Sequence, residues 1–594
     1  MGRRIRWLGL VLILCFTLIL LQLVNIQVRQ ASSLNASSEN PRNITKQYDN
    51  NRGTIRAANG AVLAKSVKVP GAGPDTNQYY RTYPTGTLFS GIVGYSSKFR
   101  GTAGVEYVYN TQLLPHKQTA TTLSQLLSPP APTPDDVTLT VQPTLQKTAR
   151  AALAAIPDDN KDGAVVVLQP KTGAVLGMYS SPSFNPNTLA NPTTTKEEAA
   201  SKADFTVTDP EGFKAGNPMA TFDTFLPGST FKVVTSASVY NLKPTKATFT
   251  FPVAGCTTKG QLPTTLVICN DANTATAATP CGGKMAQMLP ASCDPGYALL
   301  GYQLGPTVLS KQAELFGYNA KPPIDLTTVS KSRFPTVKDL QPGQSPGPGG
   351  VALGAFGQGT VSSTALQGAM VAEGIADTGT VMTPHVMAQI RNAQGGVVQT
   401  YTPKPYQQAT TAAAAKQVNQ LMQGVVTTPK GTAHAVGFTP NEHVAVKTGT
   451  AQVGNAAQNT VDWMIGFAPA TNPTVAVAVV VPEQETSASG AEIAGPIVKS
   501  VIQAALAEQA AAAPTPTTTT TVPPTTTTVP HYTGHGTPTT ALSTTTTTAP
   551  PPTTTTVPPT STTAAIPTTT TPFPSTTTTV APVATRAPPT AATP

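Results

Sequence analysis

A serine and a lysine three positions apart, Ser229 and Lys232, are the residues of this chain best suited to nucleophilic chemistry. Pro227 and Gly228 end the preceding segment, and the apolar residues that follow have helical spacing, so the pattern predicts that Ser229 lies in the first turn of a helix. At this spacing the two side chains share one helix face. A hydroxyl held beside an amine can act as nucleophile and base, and the N–H groups of a helix start can stabilise a developing oxyanion.

The Ser-x-x-Lys pattern is weak by itself, because it occurs by chance roughly once or twice in a chain of this length and also fits a solvated lysine. A second pattern changes its meaning. Lys447-Thr448-Gly449-Thr450 follows a polar stretch and is predicted to form a short strand. Ser-x-x-Lys followed by Lys-Thr-Gly is typical of serine acyltransferases that react with penicillin. With both motifs in this order, the chain resembles the class B penicillin-binding proteins, and in particular their actinobacterial elongation-type subgroup.

The resemblance implies a third motif, Ser-x-Asn, between the other two, and Ser292-Cys293-Asp294 stands in that place. Asp294 is a departure, since an ionised Asp only accepts hydrogen bonds whereas Asn both donates and accepts them. Its charge beside Lys232 would stabilise the protonated lysine and hinder it as a base. Either this loop is rebuilt or the activity is altered. The alternative is an ordinary loop unrelated to the site.

The resemblance also implies a role for each motif residue in acyl transfer from a D-Ala-D-Ala-like peptide. Ser229 would attack the carbonyl, Lys232 would take its proton, and Ser292 would relay the proton to the leaving amine. The N–H groups of Ser229 and Thr450 would form the oxyanion hole. A lysine beside a threonine suits the terminal carboxylate of the substrate. The residues that would contact the substrate or a β-lactam are Asp294, Lys447, Thr448, Gly449 and Thr450.

An amine of a second stem peptide would then attack the acyl-enzyme and form the crosslink. No cofactor and no metal are implied. Three other functions stay open. Water as the acceptor would give a D,D-carboxypeptidase, and Asp294 suggests a catalytically weak scaffold of the elongation or division complex. A β-lactam sensor would need a signalling partner.

Four of the five cysteines cluster between the first and last motifs, at Cys256, Cys269, Cys281 and Cys293. An even number in an exported segment favours disulfides, and four cysteines allow three pairings. Short loops close most easily, which favours Cys256–Cys269 and Cys281–Cys293. The second bridge would tether the loop of the third motif. A zinc site is the alternative, although the sequence has no Cys-x-x-Cys spacing.

Residues 1–28 predict a cytoplasmic stub and a transmembrane anchor. Arg3, Arg4 and Arg6 precede an almost unbroken apolar run over residues 7–24. This run is about long enough to cross a hydrocarbon core of ~30 Å as a helix. The basic flank predicts a cytoplasmic N-terminus, with the remainder outside a cell membrane that the chain crosses once. A cleaved signal peptide is the competing interpretation.

Residues 29–155 are expected to form a β-rich pedestal, or dimerisation-like, domain. Asn59-Gly60 between short apolar runs predicts a hairpin. By resemblance, Arg52, Arg81 and Glu106 match charged positions of the family's pedestal and would form salt bridges between domains. The alternative is solvated surface charge, with little stability at stake in an exposed pair. A glycosyltransferase domain has no room here, which disfavours the bifunctional class A proteins.

Residues 156–510 are expected to form the transpeptidase domain, in which helices flank an antiparallel sheet, so the overall fold class is α+β. Apolar runs over 164–168, 175–179, 462–468 and 474–481 predict its strands, and 497–507 predicts a closing helix. Gly357-Gln358-Gly359 resembles a family segment whose backbone packs behind the active site. Residues 511–594, rich in Thr and Pro, are expected to be a disordered tail, either a flexible wall-spanning tether or an O-glycosylated segment.

The charge of the chain restricts its partners. Charged residues make up only 11% of the sequence and the net charge is +10, spread without a dense basic block, so a nucleic-acid partner is poorly supported. The expected partners are peptidoglycan stem peptides, β-lactams, the membrane, and a polytopic glycosyltransferase of the wall-synthesis complex.

Overall fold

The computed structural model describes residues 2–25, 50–69, 79–98, 100–116, 131–157, 161–190, 205, 212–263, 266–270, 278–453, 459–485 and 488–512. The predictions for the Thr/Pro-rich tail fall almost entirely outside these residues. The compact unit that carries every predicted site residue extends over Met1–Thr515.

The described strands are β1 Ile55–Arg56, β2 Val62–Lys68, β3 Tyr79–Thr82, β4 Ser96–Ser97, β5 Gly101–Thr102, β6 Asp136–Leu139, β7 Gly163–Gln169, β8 Ala174–Ser181, β9 Thr250–Ala254, β10 Cys281–Lys284, β11 Thr380–Met382, β12 Met387–Arg391, β13 Val397–Thr400, β14 Pro405–Gln408, β15 Ala445–Val453, β16 Asn459–Ala468 and β17 Val475–Glu485.

The described α-helices are α1 Gly2–Val24, α2 Ser90–Val93, α3 Val105–Val108, α4 Asn110–Leu113, α5 Pro143–Ala154, α6 Pro186–Ala190, α7 Lys232–Leu242, α8 Met285–Met288, α9 Asp294–Leu304, α10 Pro306–Leu315, α11 Gly347–Gly354, α12 Ala365–Ala376, α13 Ala412–Thr427 and α14 Ala494–Ala512. Short 3-10 turns occupy Gly86–Phe89, Gly228–Phe231, Pro244–Lys246, His434–Val436 and Pro440–Glu442.

A five-stranded antiparallel sheet in the order β15-β16-β17-β7-β8 forms the centre of the fold. The sequences of its strands are long apolar runs, because helices cover both faces of the sheet. A Cβ built on Gly368 of α12 would touch the side chains of Ile465 and Ala478 on one face. A Cβ built on Gly495 of α14 would meet Met464, whose side chain projects from the other face. The predicted antiparallel sheet with flanking helices is therefore confirmed.

A second sheet of six strands, in the order β13-β12-β6-β1-β2-β3, joins segments that are far apart in the sequence. The Asn59-Gly60 hairpin is present as the antiparallel pair β1 and β2, and β1 runs parallel to β6. β12 and β13 come from residues 387–400 and extend the sheet beyond β6. The sequence does not predict this addition, because β pairing between distant segments leaves no local signal.

The three charged residues singled out near the N-terminus form a buried cluster. Glu106 Oε2 lies 2.8 Å from Arg52 Nη2, and Glu106 Oε1 lies 2.6 Å from Arg81 Nε. The Glu106 side chain is fully buried and both arginine side chains are 3% exposed. The ion pairs that the resemblance implies are present, but they join parts of one N-terminal region and not two domains. The alternative of solvated surface charge is wrong, because all three side chains are buried around Glu106 of the short helix α3.

At the N-terminus, α1 extends over Gly2–Val24 and is the helix among the described residues that is long and apolar enough to cross a membrane. Its large apolar side chains are exposed in the structure, as the predicted anchor requires. The helical character predicted for this segment is therefore confirmed.

Candidate active site

The predicted helix start lies between the five-stranded central sheet and α9. Gly228–Phe231 forms a 3-10 turn that continues into α7, so Ser229 sits in the first turn as predicted. Gly228 has φ +52°, and a Cβ at this position would lie 3.2 Å from the backbone of Thr450 and Ala451. Because glycine tolerates both the positive φ and the contact, the turn packs directly against β15. The half-buried Ser229 is thereby placed beside the strand that bears the last motif.

Lys232 is fully buried and directs its amine at the serine. Lys232 Nζ lies 2.8 Å from Ser229 Oγ, 3.2 Å from Ser292 Oγ and 2.5 Å from the Ser292 carbonyl oxygen. The rings of Tyr297 and Phe356 lie within 6 Å of the same nitrogen, at 5.5 and 5.9 Å. The amine is therefore enclosed by polar oxygens on one side and aromatic rings on the other, within reach of the hydroxyl it would deprotonate.

Ser292 connects the two lysines. Its backbone has φ +54°, an uncommon conformation for a non-glycine residue and one that recurs at functional sites. Lys447 Nζ, also fully buried, donates to Ser292 Oγ at 2.8 Å. The Ser292 hydroxyl thus lies between the amines of Lys232 and Lys447. The side chains of all three sequence motifs converge on one cleft.

Asp294 lies at the N-terminus of α9 and forms an ion pair with the buried lysine. Its Oδ1 is 2.5 Å from Lys232 Nζ and 3.5 Å from Ser229 Oγ, and its side chain is 22% exposed. Its backbone N–H donates to Asn270 Oδ1 at 2.9 Å, which fixes the start of the helix. The loop of the third motif therefore belongs to the site, and the aspartate meets Lys232 as the sequence predicts.

Thr432 is a residue of the site that the sequence analysis missed. Its Oγ1 lies 2.6 Å from Thr448 Oγ1, so two hydroxyls sit side by side next to Lys447. Thr432 lies in the loop that follows α13, and its N–H donates to the Pro290 carbonyl at 3.1 Å. No motif marks this position. The available signal is weak: Gly431-Thr432-Ala433 interrupts a polar stretch shortly before the last motif.

Both cysteine pairs that short loop closure favours are bonded in the structure, with S–S distances of 2.07 Å for Cys256–Cys269 and 2.01 Å for Cys281–Cys293. Cys293 lies between Ser292 and Asp294, so its bridge tethers the loop of the third motif to β10. Among the described residues, no group of three or more His, Cys, Asp or Glu side chains is arranged to hold a metal ion.

Gly357-Gln358-Gly359 packs behind the nucleophile, as the resemblance implies. The Gly228 N–H donates to the Gly357 carbonyl at 3.0 Å, and a Cβ at Gly357 would lie 2.1 Å from the Gly228 carbonyl oxygen. Close backbone contact therefore fixes the turn of Ser229 from behind as well as from β15.

Comparisons with known proteins agree with this geometry. The family model for the penicillin binding protein transpeptidase domain matches residues 163–503, and the model for the penicillin binding protein A dimerisation domain matches residues 52–132. The chain is 29% identical over 527 residues to peptidoglycan D,D-transpeptidase PbpA of Mycolicibacterium smegmatis, covering 86% of this chain and 100% of that protein. It is also 29% identical over 459 residues to stage V sporulation protein D of Bacillus subtilis, covering 72% and 64% of the two chains.

Solved structures show the same similarity. The ceftriaxone acyl-enzyme complex of penicillin-binding protein A from Mycobacterium tuberculosis matches with a TM-score of 0.66 and 26% identity, over 78% of this chain and 99% of that chain. A D,D-transpeptidase domain from Eggerthella lenta matches with a TM-score of 0.63 and 30% identity, over 78% and 99% of the two chains.

Proposed function

The chain belongs to the class B penicillin-binding proteins, and we propose that it is a peptidoglycan D,D-transpeptidase that crosslinks stem peptides through an acyl-enzyme on Ser229 and is acylated there by β-lactams. The observation that carries the proposal is the 2.8 Å contact between Lys232 Nζ and Ser229 Oγ, in a cleft closed by Lys447. The relatives named as D,D-transpeptidases and the acyl-enzyme complexes of similar structures support the same reaction.

Acylation begins when Ser229 Oγ attacks the carbonyl carbon of the penultimate D-Ala and Lys232 takes the hydroxyl proton. The negative charge that develops on the carbonyl oxygen is stabilised by the N–H groups of Ser229 and Thr450. Removal of one such donor typically costs about 10²–10³ in rate. The contact of Gly228 with the backbone of Thr450 supports this assignment, because it places the two donors on facing segments.

The leaving D-Ala amine then needs a proton. Ser292 Oγ lies within hydrogen-bond distance of both Lys232 Nζ and Lys447 Nζ, so its hydroxyl can pass the proton from Lys232 to the amine. The same groups act in reverse when the amine of a second stem peptide attacks the acyl-enzyme. Each step therefore uses one short hydrogen-bond path.

Substrate recognition requires a group that binds the terminal carboxylate. The Lys447 ammonium and the Thr448 hydroxyl supply a charge and a donor next to each other, and Thr432 adds a second hydroxyl 2.6 Å from the first. Asp294 and Gly449 complete the set of residues that line the donor peptide. A β-lactam carries a carboxylate in an equivalent position and would be held by the same groups.

Membrane anchoring and assembly belong to the proposal. Arg3, Arg4 and Arg6 lie in the first turns of the helix Gly2–Val24, ahead of its apolar run, which supports a cytoplasmic N-terminus and a catalytic domain outside the membrane. A glycan polymerase must act on the same strands, and we assign that role to a polytopic glycosyltransferase partner. The boundaries at residues 28, 155 and 510 stay predictions.

A crosslinking assay tests the proposal. The detergent-solubilised full chain is given a stem peptide ending in D-Ala-D-Ala and an amine acceptor, and the released D-Ala and the crosslinked product are measured. The expected result is crosslinking that Ser229→Ala abolishes and Ser238→Ala, a control in the same helix, retains. Release of D-Ala without a crosslinked product would instead assign a carboxypeptidase. If Ser229→Ala still released D-Ala and still formed the crosslinked product, the proposal would be overturned.

A further inference from the structure

A buried carboxyl group lies directly across the strand pair from Thr450. Asp462 on β16 is the Cα partner of Thr450 on β15, so both side chains lie on the same face of the sheet. Asp462 has no exposed surface. A charged residue inside the otherwise apolar and aromatic run Val461–Phe467 is unexpected for a strand buried on both faces.

Thr450 is the cross-strand neighbour of this carboxyl group and is held by a second segment. The Gly490 N–H donates to Thr450 Oγ1 at 2.9 Å, which leaves the hydroxyl proton of Thr450 to be donated elsewhere. The Thr460 hydroxyl donates to Asp462 Oδ2 at 3.1 Å. Among the described residues, the buried Asp462 Oδ1 has no hydrogen-bond partner. This oxygen is therefore the acceptor that Asp462 offers to the Thr450 hydroxyl across the strand pair.

The segment around Gly490 packs tightly on the same strands. A Cβ at Gly490 would lie 2.2 Å from the Gly449 carbonyl oxygen and 2.5 Å from the Trp463 carbonyl oxygen. On the side of the nucleophile, Gly228 contacts the backbone of Thr450 and Ala451. A shift of Thr450 would therefore change the distance between its N–H and the carbonyl oxygen of a substrate on Ser229.

We propose that Asp462 is a positioning residue for acyl transfer: as a carboxylate it accepts the Thr450 hydroxyl hydrogen bond and so holds the N–H of Thr450 in the oxyanion hole. The inference rests on the proposed function of Ser229 and Thr450. Asp462 contacts neither the substrate nor the reacting atoms, and it acts through Thr450.

The pH at which Asp462 ionises lies within the pH range in which the acylation rate can be measured. Burial raises the pKa of Asp462 to about 7, the neighbouring hydroxyls of Thr460 and Thr450 lower it, and the negative charge of Glu492 raises it. Glu492 is exposed and lies in the segment that precedes α14. Lys447, the charged residue of β15 nearest to Thr450 in sequence, directs its amine at Ser292 instead.

The test is the pH dependence of acylation of the full-length chain by a fluorescent penicillin, for wild type and Asp462→Asn. The asparagine has the shape of the protonated acid and cannot ionise. The ratio of wild-type to variant rate should be near one at low pH and rise to about five- to tenfold above pH 8, since misplacing one oxyanion donor costs part of its effect. Asp377→Asn, a buried control that pairs with Lys171, should give a flat ratio.

Two neighbour variants move the midpoint of this ratio in opposite directions. Thr460→Val removes a hydrogen bond that favours the carboxylate, so the midpoint should shift to higher pH. Glu492→Gln removes a like charge from an exposed site, so the midpoint should shift to lower pH. If Asp462→Asn does not fold, the same shift is read by comparing the pH–rate profile of Glu492→Gln directly with that of wild type. A flat ratio for Asp462→Asn, or a midpoint that neither neighbour moves, would overturn the inference.

These outcomes are separate from those of the proposed function. Acylation that is lost in Ser229→Ala but is independent of Asp462 would contradict only the role of Asp462. Acylation that persists in Ser229→Ala would contradict the function itself.

Discussion

Lys232 Nζ and Asp294 Oδ1 lie 2.5 Å apart at the base of the cleft, with the lysine fully buried and the aspartate 22% exposed. The carboxylate favours the ammonium form of Lys232, whereas the proposed acylation step needs the amine. The same ion pair also fixes the lysine beside Ser229. Asp294 is therefore expected to organise the site while slowing the proton transfer.

Replacing Asp294 by Asn should accelerate acylation. The variant keeps an acceptor for Lys232 but removes the charge that stabilises the ammonium, so we expect roughly tenfold faster acylation by penicillin at pH 7 and a profile shifted to lower pH. Stopped-flow measurement of acylation between pH 6 and 9 checks this. Slower acylation at every pH would mean that Asp294 acts as the base or that its ion pair is required to place Lys232.

Removing the Thr432 hydroxyl should weaken substrate binding more than chemistry. Thr432→Val loses the hydroxyl beside Thr448 and keeps the side-chain shape, so KM for a peptide ending in D-Ala should rise about three- to tenfold with kcat nearly unchanged. Thr432→Ser should behave like wild type. A peptide with a C-terminal amide serves as the control substrate. It lacks the carboxylate that Thr432 would bind, so its KM should be the same for wild type and Thr432→Val. A fall in kcat at constant KM would contradict this role.

The bridge at Cys293 should matter for acylation as well as for stability. The two bridges close loops of similar length, with sequence separations of 12 and 13 residues, so removing either pair should cost a similar amount, about 2–4 kcal/mol of unfolding free energy. Replacing Cys281 and Cys293 by Ser should in addition slow acylation, because Ser292 and Asp294 flank Cys293. The matched control is Ser at Cys256 and Cys269. Equal acylation by both double variants would rule out a positioning role for this bridge.

The buried cluster around Glu106 should be sensitive to acid. Burial alone would raise the pKa of Glu106, but the charges of Arg81 and Arg52 and their hydrogen bonds outweigh it and hold the pKa below its ordinary value near 4.5. Because the folded pKa is the lower one, the stabilisation is complete above about pH 5 and is lost as the pH falls through the folded value.

Glu106→Gln should therefore cost about 3–5 kcal/mol of unfolding free energy at neutral pH, since it leaves two arginines buried without their carboxylate. The cost should shrink below pH 4. Chemical denaturation at pH 7 and pH 3.5 measures both values. Arg56→Gln is the control, because the Arg56–Asp136 pair is more than one-third exposed on both sides and should contribute less than about 1 kcal/mol. A loss in Glu106→Gln that is equally small would contradict the account.

The catalytic centre was predictable because its motifs are local. Ser229 and Lys232 share one turn, so their spacing predicts that the two side chains lie on one face. That Lys447 meets them follows from the pairing of the two motifs and the resemblance it carries. The sheet of 164–168, 175–179 and 474–481 was predictable for the same reason, since each strand is a continuous buried run.

Other features depend on contacts between distant segments. Thr432 reaches Thr448 only because the loop after α13 folds onto β15, and Asp462 faces Thr450 only through the register of two strands. The burial of Arg52, Arg81 and Glu106 depends on three segments meeting. For Asp462 a signal existed: a lone acid in an apolar strand run indicates a buried polar group with a specific partner.

The most direct test of the central claim is to locate the covalent adduct. The full-length chain is incubated with penicillin G, digested, and sequenced by tandem mass spectrometry. The account predicts one acylated site, the hydroxyl of Ser229, with no adduct in Ser229→Ala and a strongly reduced rate in Lys232→Met. An adduct on any other residue, or labelling that survives Ser229→Ala, would contradict it.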